Sequence, residues 1–280
     1  MMEKAESIIG GLRVSPDESA VAILTLRRKI ELWSFDLSRR ALTLVEGTGE
    51  SYAPVWLPNG NEIVYQRLGG ETRRAVLRRR VNSTGEAEVI VPGDAGSLQP
   101  TSVSPDGKFL VFLRESTPGD SDVWLVELGA AGVSSPIAAE PRVFIAAPLA
   151  QRQVDISPDS RYAVYASSEA GMWGIYVTRF PVADGKWEVS RGWGVMPRWG
   201  AKDGRLYFAD DLYRIVEMEV DLETTFNPGP PDLRMPNVFA WGGFDVSPDG
   251  QWFAAPRSPT GSGQTGNVLI VQNWFQPQRK

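Results

Sequence analysis

Short apolar runs separated by tight-turn signals recur along the whole chain. The clearest example is the Ser-Pro-Asp-Gly unit at 104–107, which lies between strand-like runs at 101–103 and 108–112. Proline at the second position presets φ for a turn, and Asp and Gly suit the two positions that follow. Two such runs joined by such a turn predict a β-hairpin.

Related units occur at 15–18, 57–60, 157–160, 201–204 and 247–250. The first residues of the proline-containing units lie 42, 47, 53 and 90 positions apart, and the last gap contains the degenerate unit at 201–204. From Ser247 to the C-terminus is 33 positions, and a further 15 lead from the N-terminus to Ser15, which together make one more period. Repeats of about 40 to 50 residues are typical of propeller blades. We therefore expect a closed ring whose two chain ends pair at one blade boundary.

Each repeat contains several runs with alternating apolar positions and short polar joints, and no segment keeps a helical period for more than a turn or two. Four such runs make one antiparallel blade. The last repeat offers three, at 243–246, 252–255 and 267–272. The pattern predicts an all-β chain: a six-bladed β-propeller of four-stranded antiparallel blades, forming a single domain over residues 1–280.

The Ser-Pro-Asp-Gly hairpins resemble the repeats of TolB-like (PD40-type, WD40-like) six-bladed propellers. A narrower resemblance, to the propeller found C-terminal to bacterial transmembrane serine/threonine kinases, is carried by five motifs. They are Ser-Pro-Asp at 157–159, Ile-Tyr-Val-Thr-Arg-Phe-Pro at 175–181, Gly-Lys-Trp-Glu-Val-Ser at 185–190, Pro-Arg-Trp at 197–199 and Asn-Trp-Phe at 273–275. The resemblance covers nearly the whole chain and implies the fold. It does not imply kinase activity, because the chain has no Gly-rich nucleotide loop and no histidine for a His-Arg-Asp loop.

Composition excludes several kinds of chemistry. The chain contains no histidine and no cysteine, which removes Ser-His-Asp and Cys-His catalysis, disulfides, and zinc sites built on those residues. A net charge of −5 argues against a nucleic-acid partner. No apolar run is long enough to span a membrane, and residues 1–13 lack the pattern of a secretory signal. We predict no enzymatic activity, no cofactor and no metal.

Three groups of residues have a functional and a structural interpretation. The turn aspartates Asp17, Asp106, Asp159, Asp203 and Asp249 could bind metal, but we expect each to cap its own hairpin. The arginines Arg73, Arg74, Arg78, Arg79 and Arg80 could form an anionic docking patch, but we expect the solvated side of a strand. Among the tryptophans, Trp56 and Trp199 precede turns and are expected in the core, whereas Trp193 and Trp241 lie in Gly-rich surroundings and are candidates for ligand contact.

The position two residues before each turn unit is polar in most repeats. Across the six repeats it holds Arg13, Val55, Ser102, Asp155, Arg198 and Asp245. Its neighbours nearer the turn are all apolar, and they are Val14, Trp56, Val103, Ile156, Trp199 and Val246. Side chains alternate along a strand, so the polar set is predicted to face the central channel. Two interpretations stay open: these residues bind a ligand, or the arginines and aspartates only neutralise one another.

We therefore expect a non-catalytic, monomeric binding module for a protein partner or small ligand in the channel, and the kinase resemblance implies a sensory role. The alternatives are the gating propeller of a prolyl-oligopeptidase-type hydrolase, without its catalytic domain, and a carbohydrate-directed propeller. The chain as it stands is expected in the cytoplasm. As the tail of a transmembrane kinase it would be extracytoplasmic.

Overall fold

The computed structural model describes residues 8–26, 28–69, 74–93, 96–117, 119–129, 140–190, 192–200, 202, 204–222, 226–235, 243–257 and 267–272. These residues form strands, turns and bends with no helix, and the strands assemble into six antiparallel sheets. The described part of the chain accordingly contains no helix that could cross a membrane. The sheets are arranged as the blades of a propeller ring, which confirms the predicted all-β propeller fold.

The first three blades each have four strands that follow one another in both sequence and space. Blade one contains β1 (Ile8–Val14), β2 (Ala20–Leu26), β3 (Ile30–Asp36) and β4 (Ala41–Glu46). Blade two contains β5 (Glu50–Trp56), β6 (Glu62–Leu68), β7 (Arg74–Arg80) and β8 (Glu88–Val91). Blade three contains β9 (Ser97–Val103), β10 (Phe109–Thr117), β11 (Asp120–Glu127) and β12 (Arg142–Ile145).

The remaining blades vary at their outer edges. Blade four contains β13 (Gln151–Ile156), β14 (Tyr162–Ser167), β15 (Gly174–Arg179) and β16 (Trp187–Glu188). Blade five contains β17 (Gly194–Trp199), β18 (Arg205–Asp210), β19 (Ile215–Asp221), β20 (Asn227–Pro228) and β21 (Asp232–Met235). The last sheet contains β22 (Asp245–Val246), β23 (Trp252–Arg257) and β24 (Asn267–Gln272). In every sheet the strand that precedes the turn unit is at one end of the order, and we call it the inner strand.

The predicted number of four-stranded blades requires a correction. Five sheets have four strands or more, and the last has three within the described residues, so five complete blades are present instead of six. The physical reason is that the last repeat supplies only three strand-like runs and its inner strand, β22, has two residues. The predicted pairing between chain ends involves residues 1–7 and 273–280, which lie outside the described residues, so it stays a prediction; within the described residues β1 pairs with β2 and β24 pairs with β23.

Apolar side chains from neighbouring sheets form a separate core at each blade junction. The first and last sheets meet in the same way as the others, through a cluster that includes Leu12, Val21 and Trp252. Trp252 is 7% exposed, so its ring is nearly all removed from water. Among the described residues, side-chain contacts such as this cluster join the first blade to the last, and no strand of one pairs with a strand of the other.

The turn units have the hydrogen bonds that the sequence predicts. In blade three the Ser104 hydroxyl donates to Asp106 Oδ1 at 2.6 Å and accepts from Phe109 N at 3.0 Å. Gly107 closes the turn with φ of 73°, a conformation that glycine adopts without steric cost. The same Ser-to-Asp bond is present at Ser15, Ser157 and Ser247. The prediction that the aspartates cap their own hairpins is confirmed for these four turns; Asp203 lies outside the described residues.

Candidate functional site

The polar repeat position lines the centre of the ring, as predicted. Arg13, Ser102, Asp155, Arg198 and Asp245 all border one cavity of about 350 Å³. The prolines of the turn units close its outer end, and they are Pro16, Pro58, Pro105, Pro158 and Pro248. We call this cavity the lower chamber.

A second cavity, of about 520 Å³, lies at the other end of the inner strands, and we call it the upper chamber. Its charged wall residues are Arg13, Arg152, Arg198 and Glu115. Arg13, Thr101 and Arg198 border both chambers, so they form a belt between the two. Asp155 and Asp245 border the lower chamber only.

The two channel aspartates fasten neighbouring blades together. Asp155 Oδ2 in blade four accepts a hydrogen bond from the Trp199 backbone N–H of blade five at 2.8 Å. Asp245 Oδ2 in the last sheet accepts from the Val14 N–H of blade one at 2.7 Å. Trp199 and Val14 occupy the same repeat position, the apolar one nearer the turn, so one contact is used at two blade junctions. Asp155 Oδ1 also accepts a hydrogen bond from the Ser102 hydroxyl of blade three at 2.9 Å.

Arg13 and Arg198, the two arginines of the belt, place their guanidinium groups in the interior of the ring. Arg198 is 7% exposed, and its Nε lies 3.3 Å from Asp245 Oδ1. Burial, followed by the positive charge of Arg198, lowers the pKa of Arg13 to about 10. Burial likewise raises the pKa of Asp245, although Arg13 and Arg198 oppose that change. With a pKa of about 10, Arg13 remains charged at neutral pH, in a place where water shields its charge little.

The inner strands share a bulge that the sequence did not reveal. At the position two residues before the polar one, Gly11, Ala53, Gln153, Met196 and Gly243 all have φ between 50° and 76°. The pairing register shifts at this point in blades one, two, four and five. In blade three the equivalent residue is Pro100, whose ring excludes positive φ, and the register shifts beside it.

All six residues at the bulge position border the upper chamber, so the bulges shape its wall. The glycines at 11 and 243 were a signal for left-handed backbone. Ala53 and Met196 carried the opposite signal, because each precedes a proline and such residues are usually extended. Non-glycine residues held at positive φ are strained, and such strain clusters at functional sites.

Of the two tryptophans proposed for ligand contact, the one that the structure describes, Trp193, lies away from the channel. Trp193 is half-buried beside the core of blade five, and its ring meets that of Tyr213 edge-on at 5.5 Å. It does not border either chamber. Trp241 lies outside the described residues. Trp56 and Trp199 are each 6% exposed, which confirms their prediction as core residues.

The basic run of blade two is only partly a solvated strand face. Arg74 and Arg80 are exposed, as predicted, and Arg73 lies outside the described residues. For the other two arginines the prediction is wrong. Arg78 pairs with Glu88 at 2.6 Å, and Arg79 lies 3.5 Å from Glu46, a carboxylate with 1% of its side chain exposed. Within the described residues, no group of three or more acidic side chains could hold a metal ion.

No protein-family model matches the sequence, and no curated protein matches it either. Among solved structures, TolB from Acinetobacter baumannii superimposes with a TM-score of 0.67 and 17% identity, over 94% of this chain and 60% of that one. A putative TolB from Agrobacterium tumefaciens gives a TM-score of 0.63 at 14% identity, over 81% of this chain and 80% of that one. The fold is that of a TolB-like β-propeller.

Enzymes share this fold. An oligogalacturonate lyase in complex with manganese gives a TM-score of 0.59 at 14% identity, over 94% of this chain and 76% of that one. A prolyl endopeptidase gives 0.57 at 13% identity, over 93% of this chain and 42% of that one. Identities this low establish the TolB-like fold alone, and the function has to be argued from the channel itself.

Proposed function

We propose that the chain is a binding propeller that takes a ligand, or a segment of a partner protein, into its channel through the upper chamber. The observation that carries the proposal is the floor of this chamber. The cavity ends on the belt of Arg13, Thr101 and Arg198, where apolar side chains would fill a purely structural core. Polar groups that converge on a cavity of this size are typical of recognition sites.

We propose further that the chain itself is not catalytic. Asp155 and Asp245 are the carboxylates nearest to the belt arginines, and both accept hydrogen bonds from backbone N–H groups of the next blade. A carboxylate committed in this way is a poor general base, because proton uptake would disrupt the blade junction. Histidine and cysteine, the other common residues for such chemistry, do not occur in the sequence.

Exposed apolar side chains near the upper chamber favour a protein segment as the ligand. Leu149, Met172 and Leu212 are 54%, 54% and 57% exposed, on loops of blades four and five. The loops that carry Leu149 and Met172 are joined, since Ser168 N donates to Ala150 O at 3.2 Å, and the Met172 loop also meets blade five, where Gly194 N donates to Trp173 O at 2.9 Å. Ala150, which follows the exposed Leu149, borders the chamber, so the loop that carries Leu149 leads directly into the chamber wall.

The finer proposal, that this propeller is the sensory part of a transmembrane kinase, is supported by the five motifs at 157–199 and 273–275 that resemble kinase-associated propellers. It places the upper chamber on the extracytoplasmic side. The test is the reading frame that encodes the chain. A kinase domain and a membrane span in the same frame would support the sensory role, and a frame limited to the propeller would contradict it.

The binding function can be tested by photo-crosslinking in cells. A benzophenone amino acid is placed at Glu115, in the wall of the upper chamber, and in a control at Thr43, an exposed residue on an outer strand. We expect a product of defined mass from position 115 alone. Gln99→Trp, which adds bulk to the chamber wall from β9, the strand paired with the one that carries Glu115, should remove that product while leaving the melting temperature within a few degrees. Equal products from both positions, or a product that survives Gln99→Trp, would contradict the proposal.

A further inference from the structure

We propose that Arg13 and Arg198 together bind a carboxylate group, which reaches them from the upper chamber. The inference rests on the proposed binding function and names the chemistry that the channel recognises. A peptide C-terminus and a small carboxylic acid present the same group, and the experiment below separates these two sources.

The first argument is the unused hydrogen-bonding capacity of the two guanidinium groups. Each has five N–H donors, and within the described residues each donates one hydrogen bond, to the carbonyl of its own preceding residue. Arg198 Nε is buried without a hydrogen-bond partner, and its nearest carboxylate oxygen, on Asp245, is at the long distance of 3.3 Å. Buried donors in this state are rare in folded proteins, and a carboxylate oxygen in the chamber would supply the acceptor that Arg198 Nε lacks within the protein.

The second argument is the distribution of charge between the two chambers. Asp155 and Asp245 border the lower chamber, where their oxygens accept backbone N–H groups of neighbouring blades. The wall of the upper chamber has three arginines and one glutamate, Arg13, Arg152, Arg198 and Glu115. The Glu115 side chain is itself engaged, as it accepts a hydrogen bond from Gly119 N at 3.0 Å. An anion that enters from above therefore meets excess positive charge before it meets the aspartates.

The third argument concerns the type of anion. A planar guanidinium fork matches the two oxygens of a carboxylate. A phosphate dianion would place a second negative charge close to the two aspartates below the belt, which disfavours it. The upper chamber also has apolar wall residues, Leu113, Met196 and Phe244, that can contact the carbon chain attached to a carboxylate. A monovalent organic acid fits this combination better than an inorganic anion.

The test is arginine-detected NMR on the whole chain, which follows the Nε–Hε resonances of Arg13 and Arg198 during titration. The probes are N-acetyl-trialanine with a free carboxylate, the same peptide as its C-terminal amide, butyrate, and phosphate. We expect saturable shifts of both resonances with the free-acid peptide or with butyrate, and none with the amide. Tighter binding of the peptide acid identifies a chain terminus as the natural source, and tighter binding of butyrate identifies a small acid.

Variants show whether both arginines take part. Arg13→Lys and Arg198→Lys keep the charge and remove the planar fork, and each should weaken binding by about tenfold or more. The matched control is Arg78→Lys, because Arg78 is paired with Glu88 outside the channel and should leave the affinity unchanged. Lysine variants that fold but bind as well as the unaltered chain would overturn the proposal.

Two further results would also overturn it: equal shifts with the acid and the amide, or tighter binding of phosphate than of either carboxylate. The binding function is judged separately by the cross-link at Glu115. A surviving cross-link with no carboxylate response leaves the channel as a binding site for a neutral or cationic ligand. Loss of both contradicts both proposals.

Discussion

At the scale of single residues, the Ser-to-Asp hydrogen bond recurs in four of the turn units. Ser104 is fully buried, and its hydroxyl both accepts from the strand that follows and donates to Asp106. A buried hydroxyl that lost its acceptor would be left unsatisfied, which is costly inside a protein. The aspartate therefore stabilises the turn by accepting the hydrogen bond of the buried serine, and the serine in turn accepts one from the strand that follows.

The first prediction is that Asp106→Ala destabilises the fold by about 1–3 kcal/mol, because the buried Ser104 hydroxyl loses its partner. Urea denaturation followed by tryptophan fluorescence measures the change. Lys108→Ala is the matched control. That ammonium lies 3.5 Å from Asp106 with 72% of its side chain exposed, so its loss should be worth less than about 1 kcal/mol. Equal effects of the two substitutions would contradict the role given to the buried hydroxyl.

The second prediction concerns acid stability. Burial tends to raise the pKa of Asp106, but the hydrogen bonds from Ser104 and from the Lys108 N–H outweigh it and lower the pKa. The same direction holds for Asp17, Asp159 and Asp249. A carboxylate with a lowered folded-state pKa contributes stability above its unfolded pKa, near 4, and loses that contribution as pH falls through the folded value. We expect the urea concentration at the unfolding midpoint to decrease as the pH is lowered past about 4. This decrease should be smaller in Asp106→Asn, which lacks the titrating carboxylate. The same decrease in that variant as in the unaltered chain would contradict this role of the Asp106 carboxylate.

At the scale of elements, the structure of each inner strand can be predicted from the sequence only in the half next to the turn. The half next to the turn could be derived from the sequence, because turn chemistry and alternation are local signals. Arg13, Ser102, Asp155, Arg198 and Asp245 follow from that alternation and do converge on the axis. The other half contains the bulge. Its conformation at Ala53 and Met196 depends on packing against neighbouring blades, and local preference opposes it.

The third prediction compares the two bulge glycines. A Cβ at Gly11 would lie 2.5 Å from Leu24 Cδ1 and 3.2 Å from Pro54 Cδ, whereas one at Gly243 would meet nothing closer than Met196 Sδ at 4.0 Å. Both have positive φ, so Gly243→Ala should lose about 1 kcal/mol from backbone strain alone. Gly11→Ala should lose about 1–3 kcal/mol more, because the buried Leu24 must move. Melting curves decide this, and equal losses would show that the close approach is easily relieved.

At the scale of the whole molecule, the ring closes where the chain has no covalent connection. The six-period arithmetic predicted the right neighbours, since the first and last sheets do meet, whereas the strand pairing that it also predicted involves chain ends outside the described residues. Among the described residues, a core around Trp252 and a hydrogen bond from the Val14 N–H to Asp245 join the two sheets. The spacing of repeats reports which blades are adjacent. It contains no information on how the edges join, because that depends on side chains from opposite ends of the chain.

The last prediction uses the equivalence of the two aspartate contacts. Asp245→Ala and Asp155→Ala each remove the acceptor of a backbone N–H at the same repeat position, and each should destabilise the fold by about 1–3 kcal/mol. The location of the effect should differ. Blades four and five stay joined by the polypeptide between β16 and β17, whereas only non-covalent contacts hold blade one against the last sheet. Local opening is therefore expected at the ring closure in Asp245→Ala, and not at the blade four to five junction in Asp155→Ala.

Hydrogen exchange followed by mass spectrometry tests this. Peptides covering β2 and β23 should exchange faster in Asp245→Ala at a denaturant concentration where the variants are equally folded. Peptides covering β14 and β18 should keep the exchange rate of the unaltered chain in Asp155→Ala. If both variants open at their own junctions to the same degree, covalent connection between blades adds nothing measurable, and the ring closure is as firm as any other junction. If Asp245→Ala opens the ring, this closure is the part of the propeller from which unfolding begins.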